Sequence, residues 1–385
     1  MSTTRLLKSV DKHIFGMTRH LYRVSEKERQ DIQKKKESIL KRRDLKIAFI
    51  KLWAIGDAVN TLPMIKSVKE RYPSCSITII TKKSLEPIYN HQSFINKIIK
   101  TDTENIFQVA GIVKAYDIVF DLEPHLEVSA NIAGYSGKIR IGFANQTRSE
   151  TYHYTVPFRK DQHIVKTYTD MLEHIGIKKD IDSLVPLAYS SKAKKNTDTI
   201  LTTYGIRKNY MLIGFCAGVG ASVKEREWPK ERFKELAKKI LDKKSKNVKI
   251  ILIGAKEDNE LCKYIKDDNQ DIINLSGKFS LEELFCVIKK TRIFVSNDTG
   301  PMHIAAAQGC RTIGLFGPNT PAIWRPYGKY RRGEKNISIF HPKKGCPFLD
   351  NTKPELVPEN LTKEQRTCMD AISVDEVYRA VRKML

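Results

Sequence analysis

The chain has 385 residues and a formal net charge of +24, from 68 Lys and Arg residues against 44 Asp and Glu residues. Its length allows two or three domains, each with its own hydrophobic core. The charge favours an anionic partner, such as a phosphorylated substrate, nucleic acid or an acidic membrane surface, although a lysine-rich composition by itself would give the same excess.

Cysteine usage and hydropathy indicate the cellular setting. The seven cysteines are widely spaced and form no Cys-x-x-Cys pair, which argues against a disulfide scaffold and fits a reducing compartment. No apolar run approaches the ~18 residues of a membrane-spanning helix, and the N terminus lacks the apolar core of a signal peptide. We therefore expect a cytoplasmic protein that is at most peripheral to a membrane.

The first 44 residues form a distinct basic segment with 13 Lys and Arg residues, 6 Asp and Glu residues and no Pro. Apolar residues recur there in steps of three and four, which predicts one apolar helical face. These residues are Leu7, Val10, Ile14, Met17, Leu21 and Val24. Such a basic amphipathic helix can lie on anionic lipid. The alternatives are a helix that packs on its own protein, with or without residues 26–43 as a hairpin partner, and a disordered segment.

From Lys46 the chain alternates between strand-like and helix-like segments. The predicted strands are KIAFIKL, SITIIT, AYDIVFDLE and KIRIGF, and the segment DAVNTLPMIKSVKERYP is a predicted helix. This order predicts a parallel sheet with helices on both faces.

The polar stretch 188–200 is typical of a linker edge, and the alternation restarts after it. The predicted strands are YMLIGFC, VKIILIG, IINLSG, RIFVSND and TIGLFG, with helices from Pro229 to Leu241, near 257–266 and over 280–290. We therefore predict an α/β protein with four segments. They are a basic amphipathic extension (1–44), two Rossmann-like domains (45–195 and 196–370) and a C-terminal helix (371–385).

The loop LWAIGDAVNTLP, residues 52–63, joins the first strand to the first helix. In a doubly wound sheet, ligands bind beyond the carboxyl ends of the strands, and Gly56 allows a tight turn there. Asp57 then lies at the start of the helix, where Asp commonly caps the backbone. The other interpretation is a carboxylate that removes a proton from a substrate hydroxyl group. The residues alone leave both open.

The stretch VSNDTGPMHIAAAQG, residues 295–309, places polar and small residues between a strand and a helix. Asp298, Thr299 and Gly300 fall at the turn, and His303 lies one helical turn further on. Backbone N–H groups and the helix dipole suit such a turn to a phosphate group. The alternative is a capped helix with an incidental histidine. Asp298 and His303 are too few ligands for a metal site.

A second loop, GFCAGVGASVKEREWP, residues 214–229, also follows a predicted strand. It matches neither the dinucleotide fingerprint nor the P-loop. It offers backbone N–H groups, Lys224 and Arg226, whose guanidinium group can bind a diphosphate through two hydrogen bonds. After the next strand, Glu257 or Asp258 can accept hydrogen bonds from ribose hydroxyl groups, and helix capping is an equally good interpretation for either.

Together these features predict a nucleotide-sugar donor site in the second half and an acceptor site in the first. In the residues that carry them, the chain resembles the bacterial lipopolysaccharide heptosyltransferases, which form glycosyltransferase family 9. The resemblance runs from about residue 45 to residue 384. It is most specific in IGDAVNTLPMIKSVKERYP, EREWPKERFKELA and VSNDTGPMHIAAAQG.

The resemblance implies a GT-B fold, in which two Rossmann-like domains face each other across a cleft. It implies inverting, metal-independent transfer of heptose from ADP-heptose to a hydroxyl group of the lipopolysaccharide inner core. It assigns the catalytic base to Asp57 and the donor diphosphate to Asp298, Thr299, Gly300 and His303.

The chain also departs from the family pattern. The family usually has lysine where this chain has Arg226, which keeps the charge and changes its geometry. No cofactor is implied. A branch of the family binds iron through several C-terminal cysteines, of which this chain keeps Cys346 and Cys368, so we expect no structural metal.

Other functions share some of these features. A GT-B glycosyltransferase that uses another nucleotide sugar or a protein acceptor would carry the same motifs, because selectivity depends on a few side chains. This chain has no dinucleotide-binding fingerprint, which argues against an NAD-dependent oxidoreductase. It also has no basic ribbon with interleaved aromatic residues, which argues against a nucleic-acid-binding protein. The expected partners are a nucleotide sugar, a lipopolysaccharide core acceptor and the anionic cytoplasmic face of the inner membrane.

Overall fold

The structure is a computed structural model that describes residues 22–101, 116–145, 147–220, 224, 226–242, 247–317, 320–329, 335–342 and 367–385. The chain forms two compact units, Met1–Ile181 and Asp182–Leu385. Each unit contains one six-stranded sheet, and every pair of neighbouring strands described in these sheets is parallel.

The first unit has the strand order β3-β2-β1-β4-β5-β6. Its strands are β1 (Lys46–Lys51), β2 (Ser76–Lys82), β3 (Lys97–Thr101), β4 (Tyr116–Asp121), β5 (Gly137–Phe143) and β6 (Tyr154–Val156). Its helices are α1 (Glu26–Leu40), α2 (Ile55–Arg71), α3 (Glu86–Tyr89), α4 (Glu127–Ser136) and α5 (Ile164–Asp170). The strand order reverses between β1 and β4, so the carboxyl ends of these two strands border the crevice in which such sheets bind ligands.

The second unit has the strand order β12-β11-β10-β7-β8-β9. Its strands are β7 (Met211–Cys216), β8 (Val248–Leu252), β9 (Ile272–Asn274), β10 (Thr291–Asn297), β11 (Arg311–Phe316) and β12 (Ile337–Phe340). Its helices are α6 (Ser191–Thr203), α7 (Lys230–Asp242), α8 (Asn259–Lys266), α9 (Leu281–Lys289), α10 (Gly300–Ala307), α11 (Pro321–Trp324), α12 (Thr367–Asp370) and α13 (Val374–Met384). Counted within each unit, the strand order is the same in both, and the second reversal lies between β7 and β10.

The apolar runs that predicted the strands are buried. Residues 47–50 of β1 and 293–295 of β10 are fully buried. Continuous apolar runs of this kind are typical of parallel strands that helices cover on both faces. The predicted α/β class is confirmed, and each predicted strand overlaps an observed one.

The helix α1 packs on the first unit through polar contacts. Arg140 Nη2 donates to Glu28 Oε1 at 2.6 Å, and the Tyr154 hydroxyl group donates to Gln33 Oε1 at 2.7 Å. Helix α1 therefore packs on the protein itself, whereas the alternatives for the predicted amphipathic helix concern the residues that precede α1. The predicted apolar face falls mostly on residues 1–21, which lie outside the described residues. Along the described chain, no helix combines the length and the apolar composition that crossing a membrane requires.

The stretch 188–200 was expected to be a linker edge, and most of it is helical instead. The Ser190 hydroxyl group accepts a hydrogen bond from the Ala193 N–H group at 3.1 Å and so caps α6. The buried residues of α6 are Ala193, Thr197 and Leu201. Their spacing of four residues gives α6 one buried face. The surrounding Ser and Lys residues make the segment polar overall, so the sequence does not indicate this face.

The expected domain boundaries differ from those of the structure. The boundary at 195/196 falls inside α6, whereas the two units meet in sequence at Ile181 and Asp182. The C-terminal helix was expected as a separate segment over 371–385. It is part of the second unit, because Val377 and Val381 of α13 belong to the same hydrophobic core as β7 and β10.

We expect His153 to give the first unit a pH-dependent stability. Its ring is buried, and its Nδ1 atom accepts a hydrogen bond from the Arg140 N–H group at 3.1 Å. Burial, reinforced by the Arg140 and Arg29 cations, lowers the pKa of His153 to about 3. The unfolded chain takes up this proton near pH 6.5, so the free energy of unfolding falls as the pH drops from about 6.5 toward about 3, by up to about 1.4 kcal/mol per pH unit.

Denaturant unfolding from about pH 7 to about pH 4 tests this prediction. The comparison is wild type against His153→Asn, whose carbonyl oxygen can replace Nδ1 as an acceptor. We expect the wild type to lose stability more steeply than the variant. Equal slopes would mean that His153 already holds its proton in the folded protein.

Candidate functional site

The reversal point of each sheet brings predicted site residues together with Glu123, which the sequence analysis did not select, whereas Glu257 and Asp258 follow β8. In the first unit, Asp57 follows β1 and Glu123 follows the neighbouring strand β4. In the second unit, the loop 217–229 follows β7 and Asp298 follows the neighbouring strand β10. Both groups therefore lie where an open α/β sheet binds its ligand.

Asp57 lies in the first turn of α2 but does not cap the helix. The N-cap residue is Ala54, which has a φ of 66° and makes no side-chain hydrogen bond to the helix. A positive φ is unusual for a residue with a Cβ atom, so the backbone turns sharply before α2. The Asp57 side chain is 22% exposed, and its Oδ2 atom lies 3.4 Å from Lys51 Nζ. Its contact is therefore a lysine, and the carboxylate remains partly open to a ligand.

A buried lysine lies between two carboxylates at this point. The Lys51 side chain is 1% exposed, and its Nζ atom lies 3.2 Å from Glu123 Oε1 as well as 3.4 Å from Asp57 Oδ2. Burial by itself lowers the pKa of this ammonium group, but the carboxylates of Glu123 and Asp57 outweigh the effect and the pKa is raised. Lys51 therefore stays positively charged.

Glu123 also holds the loop that leads to Asp57. Its Oε1 atom accepts hydrogen bonds from the backbone N–H groups of Leu52 at 2.6 Å and Trp53 at 2.7 Å. Burial raises the pKa of the Glu123 carboxyl group, and the Lys51 ammonium group opposes that rise. One carboxylate oxygen thus contacts both the lysine and the backbone before α2.

A second buried network adjoins this one. Arg148 Nη2 donates to Asp121 Oδ2 at 2.6 Å and to the Tyr152 hydroxyl oxygen at 2.7 Å. The Tyr152 hydroxyl group donates to the same Asp121 oxygen at 2.6 Å. Asp121 Oδ1 accepts a hydrogen bond from the N–H group of Glu123 at 3.0 Å. This network therefore fixes the backbone of Glu123, whose side chain contacts Lys51.

In the second unit, Asp298 and Thr299 form the turn between β10 and α10. Thr299 is the N-cap residue and makes no side-chain hydrogen bond to the helix. A helix start of this kind suits an anionic group, because backbone N–H groups and the positive end of the dipole lie there. The Arg226 side chain is 25% exposed, and its Nη1 atom lies 3.3 Å from Asp298 Oδ2.

His303 and Lys224 take different positions around this turn. His303 belongs to the first turn of α10, as expected, but it is only 3% exposed. Lys224 is exposed, and its Nζ atom lies 2.8 Å from Glu227 Oε2. The structure therefore brings Arg226, Asp298 and Thr299 together at one turn, with His303 in the buried part of the same turn.

Asn297, the last residue of β10, connects both sides of the loop 217–229. Its Nδ2 atom donates to the Ala217 carbonyl oxygen at 2.7 Å, and its Oδ1 atom accepts from the Trp228 N–H group at 3.1 Å. Trp228 is fully buried, and its Nε1 atom donates to the Ile372 carbonyl oxygen at 3.0 Å. The loop is therefore held at both ends by buried hydrogen bonds.

The two acidic candidates after β8 differ in environment. Glu257 is exposed, whereas Asp258 is half-buried. Asp258 Oδ2 accepts a hydrogen bond from the Ala255 N–H group at 2.8 Å, and a Cβ atom added at Gly218 or Gly254 would collide with the Asp258 carboxyl group. Burial raises the pKa of Asp258. Asp258 therefore caps the short helical turn Lys256–Asp258. Its carboxyl group also lies against the loop that follows β7.

In the part of the chain that the structure describes, no three His, Cys, Asp or Glu side chains lie together in a way that would hold a metal ion. Cys368 is buried, and Cys346 lies outside the described residues.

Sequence reasoning missed part of the first site. The missed residues are Lys51, Glu123, Asp121, Arg148 and Tyr152. Two signals were present: Lys51 interrupts an apolar run, and Glu123 is the last residue of a predicted strand segment, just as Asp298 is. Charged residues at the carboxyl ends of buried strands are therefore candidates for this kind of site.

Comparisons with known proteins give a consistent result. A family model described as glycosyltransferase family 9 (heptosyltransferase) matches residues 112–344. The lipopolysaccharide core heptosyltransferase OpsX of Haemophilus influenzae is 27% identical over 88% of this chain and 96% of its own length. Lipopolysaccharide heptosyltransferase 2 of Salmonella typhimurium is 24% identical over 74% of this chain and 87% of its own length.

Solved structures show the same fold. A glycosyltransferase family 9 protein from Veillonella parvula has a TM-score of 0.72 at 21% identity, covering 88% of this chain and 97% of that chain. The ADP-heptose lipopolysaccharide heptosyltransferase II of E. coli has a TM-score of 0.69 at 20% identity, covering 88% of this chain and 98% of that chain. The E. coli heptosyltransferase WaaC, solved with ADP, has a TM-score of 0.66 at 16% identity, covering 89% of this chain and all of that chain.

Asn297→Ala tests the hydrogen bonds that hold the loop 217–229. The substitution leaves the buried Ala217 carbonyl group and Trp228 N–H group without their partner, so we expect the free energy of unfolding to fall by about 1–3 kcal/mol. Chemical denaturation measures this loss. Asn269→Ala provides the control, because Asn269 is only partly buried and its Oδ1 atom accepts one N–H group, that of Asp271 at 2.8 Å, outside this loop. Equal effects of the two substitutions would contradict the prediction.

Proposed function

The chain belongs to glycosyltransferase family 9, the heptosyltransferases, and we propose that it moves heptose from ADP-heptose to a hydroxyl group of the lipopolysaccharide inner core. We further propose that the anomeric carbon is inverted and that no metal ion takes part. The enzyme is a glycosyltransferase with the two Rossmann-like units of the GT-B fold. The observation that carries the proposal is the pair of sites at the two strand-order reversals, one with a partly exposed carboxylate and one with a turn suited to a diphosphate.

The names of relatives support the choice of sugar and acceptor. One relative is named a lipopolysaccharide core heptosyltransferase, and one solved relative is named for ADP-heptose. The chain aligns with 96% of the length of the first. We therefore assign it the same class of donor and acceptor.

The donor binds to the second unit. Its diphosphate lies at the start of α10, where Thr299, Gly300 and the helix dipole offer positive electrostatic potential. Arg226, placed beside Asp298, contributes a cation on the same side. Lys224 adds a second, more exposed cation, and His303 supports the turn from its buried side.

The adenosine end of the donor meets Asp258. A carboxylate that lies against the glycine-bearing loop after β7 can accept hydrogen bonds from both ribose hydroxyl groups. Asp258 fits this position because Gly218 and Gly254 leave room for its carboxyl group. Glu257 is exposed and takes no part in this contact.

The acceptor is activated by Asp57. The Asp57 carboxylate takes the proton of the acceptor hydroxyl group as the hydroxyl oxygen forms a bond to the anomeric carbon. The bond between that carbon and the diphosphate oxygen breaks on the opposite face, and ADP leaves with the bonding electron pair. This sequence inverts the anomeric carbon, and Asp57 acts as a general base.

The leaving diphosphate gains negative charge as its bond to the sugar breaks. The start of α10 and Arg226, which lies 3.3 Å from Asp298, are in place before the reaction, so they stabilise this charge without reorganisation. The more exposed Lys224 adds a further cation. This is the role that a divalent cation has in metal-dependent transfer. It is the physical basis on which we propose a metal-independent reaction.

The excess positive charge of the chain suits the proposed acceptor. Lipopolysaccharide core and the leaflet that contains it are anionic, and a net charge of +24 attracts both. We propose that the enzyme works at the cytoplasmic face of the inner membrane as a peripheral protein. The alternative is a GT-B transferase with another nucleotide sugar or a protein acceptor, and a donor screen separates the two.

Asp57→Asn tests the catalytic base. The amide cannot accept the acceptor proton, so we expect transfer of heptose to fall by at least about 10²-fold, while ADP binding in the second unit stays unchanged. A transfer assay with ADP-heptose and calorimetric titration with ADP measure the two quantities. The control is Asp117→Asn, which removes a buried carboxylate from the other end of β4. Near-normal turnover of Asp57→Asn would exclude Asp57 as the base.

Asp258→Asn tests the donor site. Calorimetric titration with ADP, GDP and UDP should show selective binding of ADP. We expect the substitution to weaken ADP binding about tenfold, which corresponds to the loss of about one charged hydrogen bond. The neighbouring exposed residue gives the matched control, Glu257→Gln, which should bind ADP as the wild type does. A preference for GDP or UDP would contradict ADP-heptose as the donor and support the alternative.

A further inference from the structure

We propose that Glu123 is a positioning residue for the transfer reaction, which acts on Asp57 through the buried Lys51 and through the backbone of the preceding turn. Glu123 is 3% exposed, so it acts from behind the site and does not contact the substrate. The inference rests on the proposed role of Asp57 as the base and explains how that base is kept active.

The charges of the three side chains explain why two carboxylates are needed. Lys51 lies within 3.4 Å of Asp57 and 3.2 Å of Glu123. A lysine paired with Asp57 alone would form a neutral ion pair. With Glu123 present, Lys51 is already neutralised, and the group of three carries one net negative charge. Of the two carboxylates, Asp57 is the one that a ligand can reach, because its side chain is 22% exposed and that of Glu123 is 4% exposed.

The backbone contacts explain why the second carboxylate is Glu123. Its Oε1 atom accepts the N–H groups of Leu52 and Trp53, the two residues immediately before Ala54. Ala54 has a φ of 66°, a conformation that persists only where the surrounding structure holds it. Glu123 therefore fixes the turn that sets the direction of α2, and with it the position of Asp57.

The other titratable groups near these three do not disturb the charge balance. They are Tyr89 from α3, Tyr168 from α5 and Asp121 from the end of β4. Burial raises the pKa of both tyrosines, so both stay neutral. The Asp121 carboxylate is neutralised by Arg148 at 2.6 Å. Among these groups, Lys51, Glu123 and Asp57 therefore set the charge.

Two substitutions with opposite effects test the proposal. Glu123→Gln keeps a carbonyl oxygen for Leu52 and Trp53 but removes the charge that neutralises Lys51. The acid limb of the kcat–pH profile should then move to lower pH by about one unit, and kcat on the plateau should fall, because the base is weaker. Lys51→Met removes the cation and leaves two carboxylates facing each other, so the acid limb should move by about one unit to higher pH.

The assay uses ADP-heptose and a deacylated lipopolysaccharide inner-core oligosaccharide. The double variant Lys51→Met/Glu123→Gln should bring the acid limb back toward that of the wild type. The control is Asp117→Asn. It removes a carboxylate of β4 that is paired with Arg42 and Lys138 and should leave the acid limb in place. Losses of activity without a shift, or shifts of both single variants in one direction, would show that Glu123 is only structural and would overturn the proposal.

A second measurement does not depend on turnover. Carboxyl-carbon NMR titration of the protein labelled with ¹³C aspartate follows Asp57 directly, with its signal assigned by its loss in Asp57→Asn. The titration midpoint should move down in Glu123→Gln and up in Lys51→Met. If Asp57→Asn retained activity, the proposed base would be wrong, whereas the NMR midpoints would still decide whether Glu123 acts on Asp57 through Lys51.

Discussion

The buried ammonium group of Lys51 is the constraint on which the first site depends. An ion inside a protein loses its hydration, and it is tolerated only where opposite charges and hydrogen bonds replace the water. A strand can therefore end in a buried lysine only if its neighbours bring carboxylates to it. Here one comes from α2 and the other follows β4. The strand order and the charge of the site are thus two aspects of one arrangement, because Glu123 reaches Lys51 only if β1 and β4 are adjacent.

The two units use related devices at equivalent positions. In each, a residue at the end of the fourth strand binds the loop that follows the first strand of that unit. Glu123 accepts two backbone N–H groups there, whereas Asn297 donates to a carbonyl oxygen and accepts one N–H group. The difference is one of charge. The first unit gains a carboxylate near the proposed base, and the second keeps a neutral amide beside a turn suited to an anion.

Much of the fold was predictable from the sequence because parallel strands covered on both faces consist of continuous apolar runs. The helix α6 was missed because its buried face consists of Ala193, Thr197 and Leu201, of which only the leucine is strongly apolar. Asp57 and Asp298 were found because each lies where a strand is followed by a helix. Lys51 and Glu123 were missed because their meaning depends on the pairing of β1 with β4, which are far apart in the chain. The positive φ of Ala54 likewise has no signature in its residue type.

The turn before Asp57 has an optical consequence. The Trp53 ring lies in this turn with the Lys82 ammonium group 4.0 Å from its centroid, and the ring is only partly buried. Trp228 is fully buried in the second unit. The chain therefore carries a natural fluorophore at each site. Trp324 of α11 is a third tryptophan, so a variant that keeps only Trp53 or only Trp228 would report on one unit at a time.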